Sequence, residues 1–188
     1  RNRSVMVYAS SAATYGSLKS PQTEGNENPE NPYGYSKYMM DQIAADYSKE
    51  NPDLTVVGLR FFNVYGPNEY HKTRMASVIF HAFHQITNTS KVKLFRSHKK
   101  QVAHGHQKRD FIYVKDVVKM CHFLMEQKAT SGLYNVGTGT ARTFLDLAKA
   151  TFAALNQKAN ISKELSKRMP EVYVVWNNGN HLETRNKR

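Results

Sequence analysis

The sequence predicts an α/β fold built on a doubly wound parallel sheet, and three observations carry that prediction. Two apolar runs, Val5-Met6-Val7-Tyr8 and Leu54-Thr55-Val56-Val57-Gly58-Leu59-Arg60, have the length and β-branched content of buried strands. A segment between them, from Tyr33 to about Glu50, spaces its apolar residues as a helix does. Polar residues of chemical interest follow each run, Ser10-Ser11 after the first and Asn63 and Tyr65 after the second. Open α/β sheets bind ligands beyond the carboxyl ends of their strands, so strand, helix and strand in this order put both sets on the binding side.

The remaining elements follow in order. Residues 16 to 32, rich in Gly, Ser, Pro, Asn and Glu, form a loop. The helix after it carries Met39, Met40, Ile43, Ala44 and Tyr47 on one apolar stripe and stops at Asn51-Pro52. Met75 to about Thr87 has Met75, Val78, Ile79, Phe83 and Ile86 at helical spacing. Val92 to Phe95 is predicted as a short strand and Arg96 to Lys108 as a loop. A helical run from Val117 to Leu124 holds the single cysteine, Cys121, which reads as a reduced core thiol. Leu133 to Val136 forms one more strand. Thr143 is placed to N-cap a helix whose inner face is Phe144, Leu147, Ala148, Thr151, Phe152 and Leu155. Ile161 to Arg188 is polar and basic without sustained periodicity, apart from Val172-Tyr173-Val174-Val175-Trp176.

With 188 residues, 40% of them hydrophobic, the chain suits one globular unit with a small second lobe. No window approaches the apolar length of a membrane span. Arg1-Asn2-Arg3 leads straight into a strand rather than a secretory apolar region, so a cytoplasmic protein without membrane contact is predicted. The net charge of +12 raises the question of nucleic acid, which its distribution answers. Residues 1–90 carry eight basic and eight acidic side chains; residues 91–109 carry seven basic and none acidic. That segment has only Phe95 for base stacking, so its arginines and lysines suit phosphate groups of a small ligand better than a polynucleotide. His98, His104 and His106 lack companions at metal-ligand spacing, and no metal is predicted.

Chemistry enters with Tyr33 and Lys37, 22 and more residues after Ser10-Ser11. A spacing of four puts the two side chains one helical turn apart on one face, so the ammonium lies near the phenol and favours its ionised form. A serine past a strand end can hydrogen-bond the alcohol from which such a phenol takes a proton. Serine, tyrosine and lysine together are what an enzyme needs to oxidise an alcohol while a cofactor takes the hydride.

Five blocks in order resemble the extended short-chain dehydrogenase/reductases, the nucleotide-sugar epimerases and dehydratases. They are Tyr8-Ala9-Ser10-Ser11-Ala12-Ala13-Thr14-Tyr15-Gly16, the Tyr33/Lys37 pair, Leu59-Arg60-Phe61-Phe62-Asn63-Val64-Tyr65-Gly66-Pro67, Arg109-Asp110-Phe111-Ile112-Tyr113-Val114 and Tyr134-Asn135-Val136-Gly137-Thr138-Gly139. The resemblance implies a Rossmann-type sheet with a smaller mixed substrate-binding lobe. It divides the chain into the remainder of a dinucleotide-binding domain (1–66), a substrate-lobe segment (67–109), a return to the first domain (110–139), a substrate-lobe helix (140–160) and a divergent basic tail (161–188). Dehydratases of this family carry Asp-Glu where this chain has Ala12-Ala13, which argues for redox-neutral epimerisation. His71-Lys72, followed by Met75-Ala76-Ser77, is similar to the signature of the family's 6-epimerases acting on ADP-heptose-type sugars of lipopolysaccharide-core precursor synthesis.

In such enzymes the alcohol loses hydride and proton on one face and regains hydride on the other, so protons move in two geometries. The resemblance gives Tyr33 one geometry and Lys72 the other, with Ser11 and Lys37 supporting. It implies NADP, with NAD the alternative, contacted by Tyr33, Lys37, Val64 and His71. Substrate contacts fall on Ser11, Asn63, Arg74, His81, Phe95 and Arg109, and the parent enzyme is expected to be a homo-oligomer. None of the ten glycines forms the Gly-rich loop that cradles a dinucleotide pyrophosphate, so the chain reads as a truncated epimerase whose own activity is in question. Three alternatives stand beside it: a non-catalytic protein on the same fold that binds a nucleotide-sugar or a partner, a UDP-hexose 4-epimerase, and a basic nucleic-acid binder.

Overall fold

A computed structural model of the chain describes residues 4–156 except Ser90 and Lys128, together with the backbone of residues 173–176 and 181–183. The strands are β1 (Val5–Ser11), β2 (Thr55–Phe61), β3 (Asn63–Tyr65), β4 (Lys108–Tyr113), β5 (Gly132–Gly137), β6 (Ala141–Thr143), β7 (Tyr173–Trp176) and β8 (His181–Glu183). The helices are α1 (Pro32–Glu50), α2 (Val78–Thr89), α3 (Val114–Glu126) and α4 (Phe144–Asn156), with short 3-10 segments at Ala12–Tyr15 and Tyr70–Met75. They fall into two compact units, one within Arg1–Phe62, Asp116–Gly137 and Val172–Arg188, the other within Asn63–Lys115 and Thr138–Glu171.

The first unit holds a five-stranded sheet in the order β1-β2-β5-β7-β8. β1 pairs parallel with β2 and β2 parallel with β5, so the chain is α/β with a parallel sheet as expected. The register sets Tyr8 against Gly58 and Ser11 against Phe61, which brings the ends of β1 and β2 level. Val57, Leu59 and Val136 are fully buried, as the unbroken apolar runs of these strands require. β7 and β8 extend the sheet antiparallel, giving the apolar run around Val174 a place in it. The rest of the expected tail lies outside the described residues.

α1 starts where proline and asparagine dictate. The Asn31 side chain accepts from the Gly34 amide at 2.8 Å, and Pro32 opens the first turn, where its missing N–H costs nothing. Its apolar stripe faces outward: Met39, Met40, Ile43 and Tyr47 are all exposed, while the buried positions are Gly34 and Asp41. The inner face is built from small residues and one buried carboxylate, so α1 sits close to the strands without large apolar side chains.

The second unit is a three-stranded sheet in the order β3-β4-β6, with α2 packed against α4. β3 runs parallel to β4 and β6 antiparallel to it. The stretch from Asn63 to Tyr65, which follows the second apolar run, is thus a short strand of its own. Its core joins Tyr65, Ala82, Phe111, Phe144 and Leu147, each worth about 1.5–3 kcal/mol for the large side chains. Val92 and Leu94 pack on this core, but Val92 to Phe95 forms no strand. Its backbone groups are met one by one instead: the Lys93 amide donates to Gln85 Oε1, and the Phe95 carbonyl accepts from the Gly105 amide and from Gln107 Nε2. The predicted helix from Met75 begins later, at Val78. Ser77 Oγ accepts from the Phe80 amide and caps it, and Met75 is left 85% exposed. Thr143 caps α4 as predicted, accepting from the Asp146 amide while its hydroxyl donates to the Asp146 carboxylate. Cys121 is half-buried and free, its thiol pushed up by desolvation.

Candidate active site

In the first unit three of the expected catalytic residues gather around the carboxyl end of β1. Ser11 is the last residue of β1 and N-caps the 3-10 turn after it, accepting from the Ala13 amide at 3.1 Å. Its hydroxyl proton is still available to donate. Gly34, on the first turn of α1, lies so close to this turn that an added Cβ would stand 2.6 Å from the Ala13 carbonyl oxygen. A residue with a side chain there would push Tyr33 away from the Ser11 turn.

Tyr33 is 57% exposed and Lys37 lies one turn on, its Nζ 5.9 Å from the centre of the Tyr33 ring. The same ammonium donates to the Ala9 carbonyl at 2.8 Å, two residues before Ser11. Lys37 therefore ties α1 to β1 and still has two protons to offer, a donor set that suits ribose hydroxyls beside an exposed phenol. The nicotinamide end of a dinucleotide fits these residues. A pyrophosphate cradle is not found among them: the Thr138 and Gly139 amides of the late Gly-Thr-Gly turn donate to the Asp110 carboxylate at 2.9 and 2.8 Å.

Beneath this surface is a buried charged network that sequence reasoning missed. Asp41, 1% exposed, accepts from Tyr8 Oη, Ser10 Oγ and Arg60 Nε at 3.1, 2.9 and 3.0 Å. Arg60 pairs in turn with Glu27 of the loop before α1 and donates to Tyr15 Oη at 3.0 Å. Burial works against the Arg60 cation, but Tyr15, Glu27 and Asp41 more than offset it and hold the guanidinium above its ordinary value. The Tyr8 phenol is pushed up by burial and then by the Asp41 carboxylate, so it stays neutral. An arginine ending a run of buried strand residues is the one signal in the sequence that could have pointed here. A half-open cavity of about 160 Å³ lies on the Asp41 side, lined by Tyr8, Glu24, Ala44, Ser48 and Leu133 among others, and none of the expected catalytic residues lines it.

In the second unit, Asn63 opens β3 and its Nδ2 donates to the Asp110 carbonyl at 3.1 Å, fixing the side chain at the sheet edge. Val64 sits mid-strand opposite Ile112. Arg109 is exposed on β4, its guanidinium anchored on the Lys108 carbonyl at 2.8 Å; the structural role in this pair of residues belongs to Asp110. Phe95 is 54% exposed and edge-on to Phe144, with ring centres 5.1 Å apart. His81 is half-buried on α2, edge-on to Phe80. His71, Lys72 and Arg74 are all exposed on the 3-10 segment, whose Thr73 has φ 47° and ψ −119°, a strained conformation for a β-branched residue.

Glu69 governs that segment. Only 4% exposed, it accepts from the Gly66 amide at 3.1 Å, the Ser77 amide at 2.7 Å and Ser77 Oγ at 2.7 Å, and its Oε2 lies 3.7 Å from Lys72 Nζ. Burial alone would raise this carboxyl; the Ser77 and Gly66 donors, helped by Lys72, outweigh it and hold it below the usual range. Among the described residues no group of three His, Cys, Asp or Glu is placed to hold a metal ion, and no helix is long and apolar enough to cross a membrane.

The chain is similar to known proteins. The profile of the NAD dependent epimerase/dehydratase family matches residues 1–137. An ADP-L-glycero-D-manno-heptose-6-epimerase of Fusobacterium nucleatum is 46% identical over 164 residues, covering 84% of this chain and 49% of the relative. The crystal structure of the Helicobacter pylori ADP-L-glycero-D-manno-heptose-6-epimerase superposes with a TM-score of 0.69 at 39% identity, over 79% of this chain and 45% of that one. A UDP-N-acetylglucosamine 4-epimerase from Methanobrevibacter ruminantium follows with a TM-score of 0.68 at 28% identity, over 84% of this chain and 48% of its own. The chain spans about half the length of the curated relative it matches.

Proposed function

The chain belongs to the NAD-dependent epimerase/dehydratase family, and from that premise we propose that it carries the proton-transfer and substrate-holding residues of a nucleotide-sugar epimerase of the ADP-heptose 6-epimerase type. The observation that carries the reading is Lys37, which bridges the Tyr33 ring and the strand that ends at Ser11. The likeness to two heptose 6-epimerases and the His71-Lys72 segment support the sugar and the position at which it reacts.

A bound nicotinamide dinucleotide supplies hydride removal from the sugar carbon and its return. The chain's own residues do the rest. Ser11 holds the C6 hydroxyl, and Tyr33 takes its proton as the C6 hydride departs, leaving a ketone. Lys37 steadies the ionised phenol and offers its free protons to the nicotinamide ribose. After the ketone turns, Lys72 delivers a proton to the oxygen as hydride returns to the opposite face; Tyr33 then gives its proton to solvent and Lys72 takes one up, so electrons and protons balance and only configuration changes. Val64 and His71 line the cofactor; Asn63, Arg74, His81, Phe95 and Arg109 hold the substrate, Arg109 through its diphosphate.

NADP is the proposed cofactor, NAD the alternative within the family. The reaction is placed in the cytoplasm, in lipopolysaccharide-core precursor synthesis. The outward apolar face of α1, with Met39, Ile43 and Tyr47 exposed, supports a homo-oligomer. The test is turnover of ADP-heptose by Tyr33→Phe and Lys72→Met holoenzymes. Each is expected to lose epimerisation while still binding substrate; unchanged turnover in both would refute the assignment.

A further inference from the structure

Four features of the 66–77 segment converge on one side chain. Glu69 is buried to within 4% of its surface although it is a carboxylate in a surface turn. It bonds both ends of the segment, the Gly66 amide through Oε1 and the Ser77 amide through Oε2. Its backbone carbonyl accepts from the Lys72 amide at 3.0 Å, and its Oε2 lies 3.7 Å from Lys72 Nζ. Between those ends Thr73 is held at positive φ, a conformation that persists only where its surroundings over-determine it.

We infer that Glu69 is a positioning residue for Lys72: its carboxylate closes the 66–77 segment and aims the Lys72 ammonium, so that it acts on the reaction through Lys72 alone. A buried carboxylate with three donors could serve folding only; what extends its role to Lys72 is that the same carboxylate closes both ends of the segment carrying the ammonium and lies 3.7 Å from it. Lys72 is the partially exposed partner, 44% accessible, beside Glu69 and otherwise open to solvent. The inference rests on the reading of Lys72 as an acid/base group and adds the residue that holds it.

Steady-state kinetics on the holoenzyme with ADP-heptose separate the two. Glu69→Gln is expected to lower kcat at least tenfold with KM within about twofold, and Glu69→Asp, which keeps the charge, to recover most of that loss. Made on top of Lys72→Met, Glu69→Gln is expected to remove no further part of the residual rate, because the two substitutions break one interaction. An equal proportional loss in both backgrounds, or a Glu69→Gln enzyme with unchanged kcat, overturns the inference. If Glu69→Gln does not fold, the comparison is made with Glu69→Asp, where a partial loss that vanishes in the Lys72→Met background supports it and one that persists there overturns it. Full turnover in Lys72→Met alone would remove the reading of Lys72 itself, an outcome distinct from either.

Discussion

At the scale of single residues, the buried charges Asp41 and Arg60 illustrate why a polar group in a core is a commitment. Asp41 takes three hydrogen bonds and an ion pair from Tyr8, Ser10 and Arg60, so removing its charge leaves the Arg60 cation without a full set of partners. Asp41→Ala should cost about 3–5 kcal/mol of unfolding free energy in denaturant titration, the usual loss when one side of a buried pair is removed. Gly34→Ala should cost about 1–3 kcal/mol through overlap with the Ala13 carbonyl and lower turnover with it, since Tyr33 is its neighbour. Glu69 adds a pH dependence whose sign is fixed by the direction of its shift. Its carboxyl is held below the ordinary value of 4.5, so its contribution is whole above that pH and is lost as pH falls below it. The protection factor of the Ser77 amide against hydrogen exchange should fall over that range, and that fall should be absent in Glu69→Gln. Tyr33, Lys37 and Ser11 were picked out in the sequence by their spacing, and the structure brings them to the carboxyl end of β1. Asp41 and Glu69 were not, because a carboxylate in a helix or turn looks solvated until its donors, which lie far off in sequence or along a folded loop, are seen around it.

At the scale of elements, the parallel strands β1, β2 and β5 were legible because a buried strand writes itself as an unbroken apolar run. α1 was legible as a helix but not in its orientation. Apolar periodicity marks a stripe without saying which way it points, and here the close approach of Gly34 and the Asp41 network take the inner side. The outward stripe gives a prediction proper to this element: if the proposed homo-oligomer forms through it, Ile43→Lys, at a position 66% exposed, should shift the holoenzyme to smaller species in sedimentation velocity while leaving the folded monomer intact. Unchanged sedimentation would mean that this stripe does not join copies of the chain. Val92 to Phe95 went the other way: its composition fits a strand, but its backbone groups find partners on Gln85, Gly105 and Gln107, so no ladder forms.

At the scale of the whole molecule, the expected catalytic residues divide between two compact units, Ser11, Tyr33 and Lys37 in one and Lys72 with its Glu69 anchor in the other. In the proposed reaction the first group takes the proton of the alcohol, and the second provides the other proton transfer that epimerisation needs; the Asp-Glu pair that dehydratases carry to expel water is replaced here by Ala12-Ala13. The sequence made Lys72 and the two alanines visible because they are matters of residue type rather than of packing. The proposed chemistry is a redox-neutral epimerisation. The measurement that tests it most directly follows ADP-heptose in the holoenzyme by NMR while absorbance at the reduced-nicotinamide band is recorded. The C6 epimer is expected to accumulate to equilibrium with no net cofactor reduction; a dehydrated or ketone product, or reduced cofactor released in step with substrate loss, would rule epimerisation out.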